Sequence, residues 1–198
     1  MSDMPPMTPS NEADEEQLRV ASEEGTVYAK AVLAMAEETG VRLREAGDYV
    51  IGVAAEEAEG MYGLDGDGAL VWHEPEDANA HVEVAVADRA DGRFVPGLEI
   101  TVEITGADGA PVGRHRMPFL WHPFLYHYGH NWKVPGEGDY TVDVHIEPAR
   151  FFRHDPVNGR RYAEPVHVRF EGVHIEPGIK RSPDAEPRSE PAGPAAAS

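Results

Sequence analysis

The chain has 198 residues, of which 41% are hydrophobic, enough for one domain of ordinary size with a real core. Its 36 acidic against 17 basic side chains give a formal charge of -19, which repels nucleic acid and anionic membranes and attracts cations. Cysteine is absent, so there is no disulfide framework, thiolate nucleophile or cysteine-based zinc or iron-sulfur site, and any metal must be held by histidine, carboxylate or methionine.

The N-terminal "MSDMPPMTPSNEADEEQLRV" carries neither a basic n-region nor an apolar h-region, and no hydrophobic run approaches the length of a membrane span. On that reading the protein is expected to be cytoplasmic. Residues 1–10 and 180–198 are rich in Pro, Ser, Ala and charge without an apolar period, and are expected to be disordered tails. Between 11 and 40 the pattern predicts a helical extension: Asn11 caps an acidic first turn, and Tyr28, Ala31, Val32 and Met35 recur at helical spacing. Gly25 is expected to interrupt this helix and Gly40 to stop it. Its narrow apolar stripe suits a helix leaning on a domain.

From Asp48 the period changes to two. "YVIGVAAEEAEGMY" predicts a strand with an irregularity at Gly52, followed by the turn "GLDGDG" and the short strand "ALVWH". In "HVEVAVAD", Val82, Val84 and Val86 face one way and His81, Glu83 and Ala85 the other. "GLEITVEIT" and "YTVDVHIEP" repeat the alternation, and "VHVRFEGVHI" supplies the last strands, with Gly/Pro/Asp turns between. Short alternating strands without intervening helices predict a mainly β fold, an immunoglobulin-like antiparallel β-sandwich over 48–178. The cysteine pair and strand tryptophan of antibody domains are missing, so the reading concerns architecture alone.

Ten histidines stand out. His145, His167 and His174 take the polar-facing alternates of strands, and His115 lies between two arginines beside a turn; these read as surface groups. His81 and Glu83 share one strand face about 7 Å apart, opposite the valines, and can lean toward one cation. The segment "FLWHPFLYHYGHNW" does not alternate and contains Pro123, which predicts a long loop folded over the sandwich. There Trp121, Phe124, Tyr126 and Tyr128 would wall His122, His127 and His130 from water, keeping the imidazoles neutral as a transition metal requires. His154, in "RFFRHDPVNGRRY", belongs to another aromatic-flanked segment, with Asp155 placed to orient its ring. Three distant segments thus each offer an imidazole to one cavity, and a site of free imidazoles should lose its metal below about pH 6.

"HVEV" with "GRFVPGL", then "MPF…HYGHNWKVPGEGDYTVDVHIEP", then "FRHDPVNGRRY", resembles the ferrous-iron transport protein family, periplasmic partners of bacterial iron permeases. The similarity runs from about Asp48 to Gly178. It implies an immunoglobulin-like sandwich, paired as a homodimer, that holds copper through histidines and a methionine near a carboxylate and assists an iron permease or redox partner. Carried over by position, the implied ligands are His81, Glu83, His127 and His154. The family's methionine, seven residues before the histidine of HYG, falls on Leu120; either Met117 shifts in or His122 replaces the thioether. Loss of a soft sulfur favours Cu(II), Zn(II) or Fe(II) over Cu(I). The expected metal set is therefore His81, Glu83, His122, His127 and His154, holding a copper or iron ion, with zinc also suited. Two rival readings are a carbohydrate- or peptide-binding module using Trp121, Trp132 and Tyr128, and a metal-dependent enzyme with an open coordination position.

Overall fold

Residues 6–38 and 43–180 are described by the computed structural model. One helix, α1 (Glu15–Glu38), precedes the strands β1 (Arg44–Ala46), β2 (Tyr49–Glu56), β3 (Ala58–Glu59), β4 (Met61–Leu64), β5 (Leu70–His73) and β6 (Ala80–Asp88). They continue as β7 (Ile100–Gly106), β8 (Pro111–Met117), β9 (Phe119–Leu120), β10 (His127–Trp132), β11 (Gly138–Ile146), β12 (Val166–Ile175) and β13 (Ile179–Lys180). A five-stranded sheet, β1-β2-β6-β10-β9, faces a four-stranded sheet, β12-β11-β7-β8. All pairings are antiparallel except β13 with β3.

The alternation in sequence is what holds the two sheets together. Val82, Val84 and Val86 on one side and Ile100, Val102, Ile104, Val142 and Val144 on the other are all fully buried. Each contributes on the order of 1.5–3 kcal/mol relative to exposure. The antiparallel sandwich read from the strand pattern is therefore the fold observed. β6 is buried along both faces because α1 and the segment 121–126 cover its outer side, where Ala54 and Ala85 pack against Val32, Met35 and Leu125.

The helix differs from expectation at both its start and its middle. It is capped by Asp14 rather than Asn11: the Gln17 amide donates to Asp14 Oδ1 and the Asp14 amide to Gln17 Oε1, both at 2.9 Å, a reciprocal capping box. Gly25 does not interrupt it. A Cβ there would stand 1.9 Å from the Asp91 carbonyl oxygen and 2.6 Å from the Arg93 amide nitrogen, so glycine is present to let the helix cross the 88–93 turn. In a solvated helix Gly→Ala gains about 1 kcal/mol; here Gly25→Ala is expected to lower the unfolding free energy by about 1–3 kcal/mol, measured by urea denaturation. Gly40 lies outside the described residues.

Three other expectations need correction. Residues 6–10, read as part of a disordered tail, are tied down: the Thr8 amide donates to Asn158 Oδ1 at 3.0 Å, Asn158 Nδ2 donates to the Thr8 carbonyl at 2.9 Å, and Ser10 Oγ donates to Asp155 Oδ2 at 3.1 Å. Residues 1–5 and 181–198 lie outside the described residues. β2 runs regularly through Gly52, whose missing side chain makes room for Leu43, Met35 and Val32. The stretch 119–132 is not one loop: only 121–126 is, while His127–Trp132 forms a strand beside β6. Both parities of β10 carry large groups because both faces of this sheet are covered, which erases the one-sided alternation of a half-buried strand. β8 went unforeseen because its residues are mostly exposed, as an edge strand permits.

Candidate metal centre

β6 and β10 lie side by side, with Gly129 opposite Glu83 and Asn131 opposite His81. On β10, Tyr128 and Trp132 turn into the core, so the intervening His127, Gly129 and Asn131 share the outer face with His81 and Glu83. There the Glu83 carboxylate stands between two imidazoles: its Oε1 is 3.3 Å from His127 Nε2 and 3.8 Å from His81 Nε2. One ligand atom from each residue lies within 4.8 Å of the other two, and all three residues are buried. Donors bound to one ion at 2.0–2.1 Å stand about 3.3 Å apart at the tetrahedral angle. Contraction of the observed spacing toward that value would complete a coordination shell.

Burial sets the electrostatics of this group. It is the main reason that the His127 pKa is lowered to about 4, with His81 the next contributor. His81 is lowered by the same desolvation, against the opposing hydrogen bond to Asn131. Glu83 is raised to about 7, first by burial and then by Glu56 and Glu59. Neutral imidazoles beside a carboxylate that ionises near pH 7 do not form a salt bridge among themselves. They leave lone pairs available.

That availability is visible in the hydrogen bonding. His81 Nε2 and both ring nitrogens of His127 are buried without a well-formed hydrogen bond, the Leu125 backbone lying beside His127 but too poorly aligned to make one. Each such group costs about 1–3 kcal/mol of unpaired desolvation. Buried imidazole nitrogens converging on a carboxylate are donors of the kind that could hold a transition-metal ion, and the residues fit one.

The neighbours hold the donors in place. Asn131 Oδ1 lies 2.9 Å from His81 Nδ1 and accepts a hydrogen bond from Nδ1–H, which fixes the tautomer with the Nε2 lone pair toward Glu83. Asn131 is itself anchored by donating Nδ2 to the Glu59 carbonyl at 2.7 Å. Gly129 clears the floor: a Cβ there would be 2.7 Å from both His81 Nε2 and Leu120 Cδ1. Sequence reasoning noted the glycine and asparagine of the motif but gave neither a task; a lone Gly in a strand beside a histidine is the signal that was available. Leu120 pairs with His127 in register and puts an aliphatic wall where the thioether of the resemblance would be. Met117 is buried in the core opposite Ile100 and does not shift in.

The remaining expected ligands divide. His122 is exposed on the 121–126 segment with its ring centroid 6.2 Å from that of His127, and its Nδ1 accepts from the Phe124 amide at 3.1 Å. The expected aromatic wall is open, since Trp121, Phe124 and Tyr126 are exposed and Tyr128 points into the core. His154 does not join the other imidazoles within one chain: its side chain is 87% exposed and Nδ1 sits 3.1 Å from Glu12 Oε2. The following Arg161 and Tyr162 dock on Asp88, at the far end of β6 from His81. Seven residues of strand separate those ends by about 24 Å. Of the histidines read as surface groups, His174 pairs with Asp139 at 3.0 Å and His167 with Asp143 at 2.7 Å, away from the cluster.

A family model described as Fe2+ transport protein matches residues 69–175. Among solved structures, uropathogenic Escherichia coli FetP, recombinantly expressed in the periplasm, is 22% identical with a TM-score of 0.56, covering 69% of this chain and 93% of that one. A copper-bound FetP variant gives 23% and 0.55 over 67% and 95%. Copper-reconstituted Campylobacter jejuni P19 gives 20% and 0.56 over 68% and 94%. These likenesses establish the common fold. A search of curated proteins finds no match. The cytoplasmic expectation is corrected by the match to FetP, a protein expressed in the periplasm. Opening residues report which segments a sequence carries and not where its folded domain works. With more than half of its length matched by that model, the chain belongs to the Fe2+ transport protein family.

Proposed function

We propose that the protein binds one transition-metal ion through His81 Nε2, His127 and Glu83 in the service of iron acquisition. The observation that carries this reading is the convergence of buried, unpartnered imidazole nitrogens on one carboxylate. Copper is the first candidate, because nitrogen donors follow the Irving-Williams order and because FetP and P19 have copper-bound structures. Iron and zinc suit the same donors more weakly. His122 supplies the fourth ligand by exchanging its Phe124 hydrogen bond for the metal. His154 contributes only from a second copy of the chain, in the homodimer that the family resemblance implies. The exposed Trp121 and Phe124 beside His122 give an iron permease or redox partner a place to dock.

Calorimetric titration of chelator-stripped protein with Cu(II) tests the proposal, a tight equivalent that is lost in His127→Ala being expected. Glu83 is protonated below about 7 and must release that proton to bind. Affinity should therefore rise roughly tenfold per pH unit up to that point and then level off. His127, with its pKa near 4, adds a further loss only in stronger acid, so the threshold lies higher than free imidazoles alone would set it, and its cause is the carboxylate. Absence of binding, or an affinity flat from pH 5.5 to 7, would overturn the assignment.

Leu120→Met restores a thioether beside His127 at nearly constant volume. It is expected to raise Cu(I) affinity relative to Cu(II), at a stability cost below about 1.5 kcal/mol. Competition with a Cu(I) chelator measures it.

A further inference from the structure

At the open edge of the sandwich, two histidines outside the centre described above face each other from different sheets. His115 is on β8, the edge strand of the four-stranded sheet, and His130 is on β10. Their ring centroids are 4.6 Å apart, with the planes inclined at 40°. His115 pairs in register with Val102 and so points between the sheets, while its neighbours Arg114 and Arg116 alternate to the outer face, where Arg114 approaches Glu103 at 3.9 Å. His130 pairs with the core residue Val82 and also points inward. Among the described residues, neither imidazole has a hydrogen bond or ion pair on its nitrogens.

We propose that His115 and His130 hold a second transition-metal ion, foremost Cu(II), in adjacent coordination positions that bridge the two sheets. An imidazole bound at about 2.0 Å would have its centroid about 3.1 Å from the ion, so two rings bound with their centroids 4.6 Å apart would subtend about 95°, the cis angle of tetragonal copper. Gly113 keeps one approach clear: a Cβ there would lie 3.3 Å from His115 Nε2. Because His115 is exposed, water completes the shell. Trp132 closes the inner side, edge-on to His115 with centroids 4.6 Å apart, which makes its fluorescence a reporter.

The other histidine pair outside the first centre lacks this capacity. His145 and His167 stack at 4.4 Å with planes inclined by 6°, so their in-plane lone pairs run parallel instead of converging. His167 Nε2 is also occupied by Asp143 at 2.7 Å. The His115–His130 site does not rest on the His81–Glu83–His127 reading, and the two are tested by different variants.

The full chain is titrated with Cu(II), followed by Trp fluorescence and electron paramagnetic resonance. A second equivalent that quenches Trp132 is expected, weakened more than about tenfold in His115→Ala and again in His130→Gln, with the first equivalent retained in both. The proposal is overturned if the wild-type chain binds a single equivalent, if both variants keep the second with unchanged affinity, or if His167→Ala removes it instead.

Discussion

His127→Ala is expected to abolish the tight equivalent of metal at the His81–Glu83–His127 centre, whereas His174→Ala leaves it unchanged. His127 offers a buried ring with both nitrogens unpartnered, 3.3 Å from Glu83. Removing a residue that merely orients a ligand costs about 10–100-fold in affinity; removing one of three direct donors costs more, and calorimetry should lose the tight equivalent of this centre. His174 is exposed and already paired with Asp139 and Glu137, so its loss touches nothing near the ion. His127→Gln, which keeps polarity and much of the volume, should also fail to bind while preserving the circular dichroism of the wild type. Equal loss in the His127 and His174 variants would discredit the assignment.

Gly129→Ala should be nearly as damaging although it adds a single methyl group and removes no donor. The new Cβ would sit 2.7 Å from His81 Nε2, and the ring cannot retreat without breaking the 2.9 Å bond from Nδ1 to Asn131. Leu120 Cδ1 blocks a shift the other way, at the same 2.7 Å. Overpacking of this kind costs about 1–3 kcal/mol, against an entropic gain of about 0.4–1 kcal/mol that Gly→Ala brings elsewhere. The expected result is lower denaturant resistance together with loss of metal binding. Gly136→Ala is the control, since a Cβ there meets nothing within 4 Å, and both properties should persist. Retained binding in Gly129→Ala would show that His81 is not held where the geometry places it.

The two largest effects have different origins in the sequence. His127 was legible as a candidate ligand because an imidazole among aromatics is an unusual composition for a segment with no charged residues. Gly129 was legible only as part of a motif, because its task depends on a side chain 48 positions away that arrives by strand pairing. Asn131 falls in the same class: nothing local says that its amide will face His81 rather than solvent. His154 failed in the opposite direction, since its aromatic neighbours resembled those of His127 while the chain carries it to the other end of β6.

The strand period was readable from the residues alone, and with it the sandwich and the face of β6 on which His81 and Glu83 stand. Side-chain alternation is a property of each strand alone and needs no partner to be read. Which of the imidazoles meet, that Gly25 and Gly129 are places of close approach, and that β10 is a strand beside β6 follow from the assembled sheets. Those facts depend on register and on which face each neighbour covers, and the burial that results is what keeps the clustered imidazoles neutral.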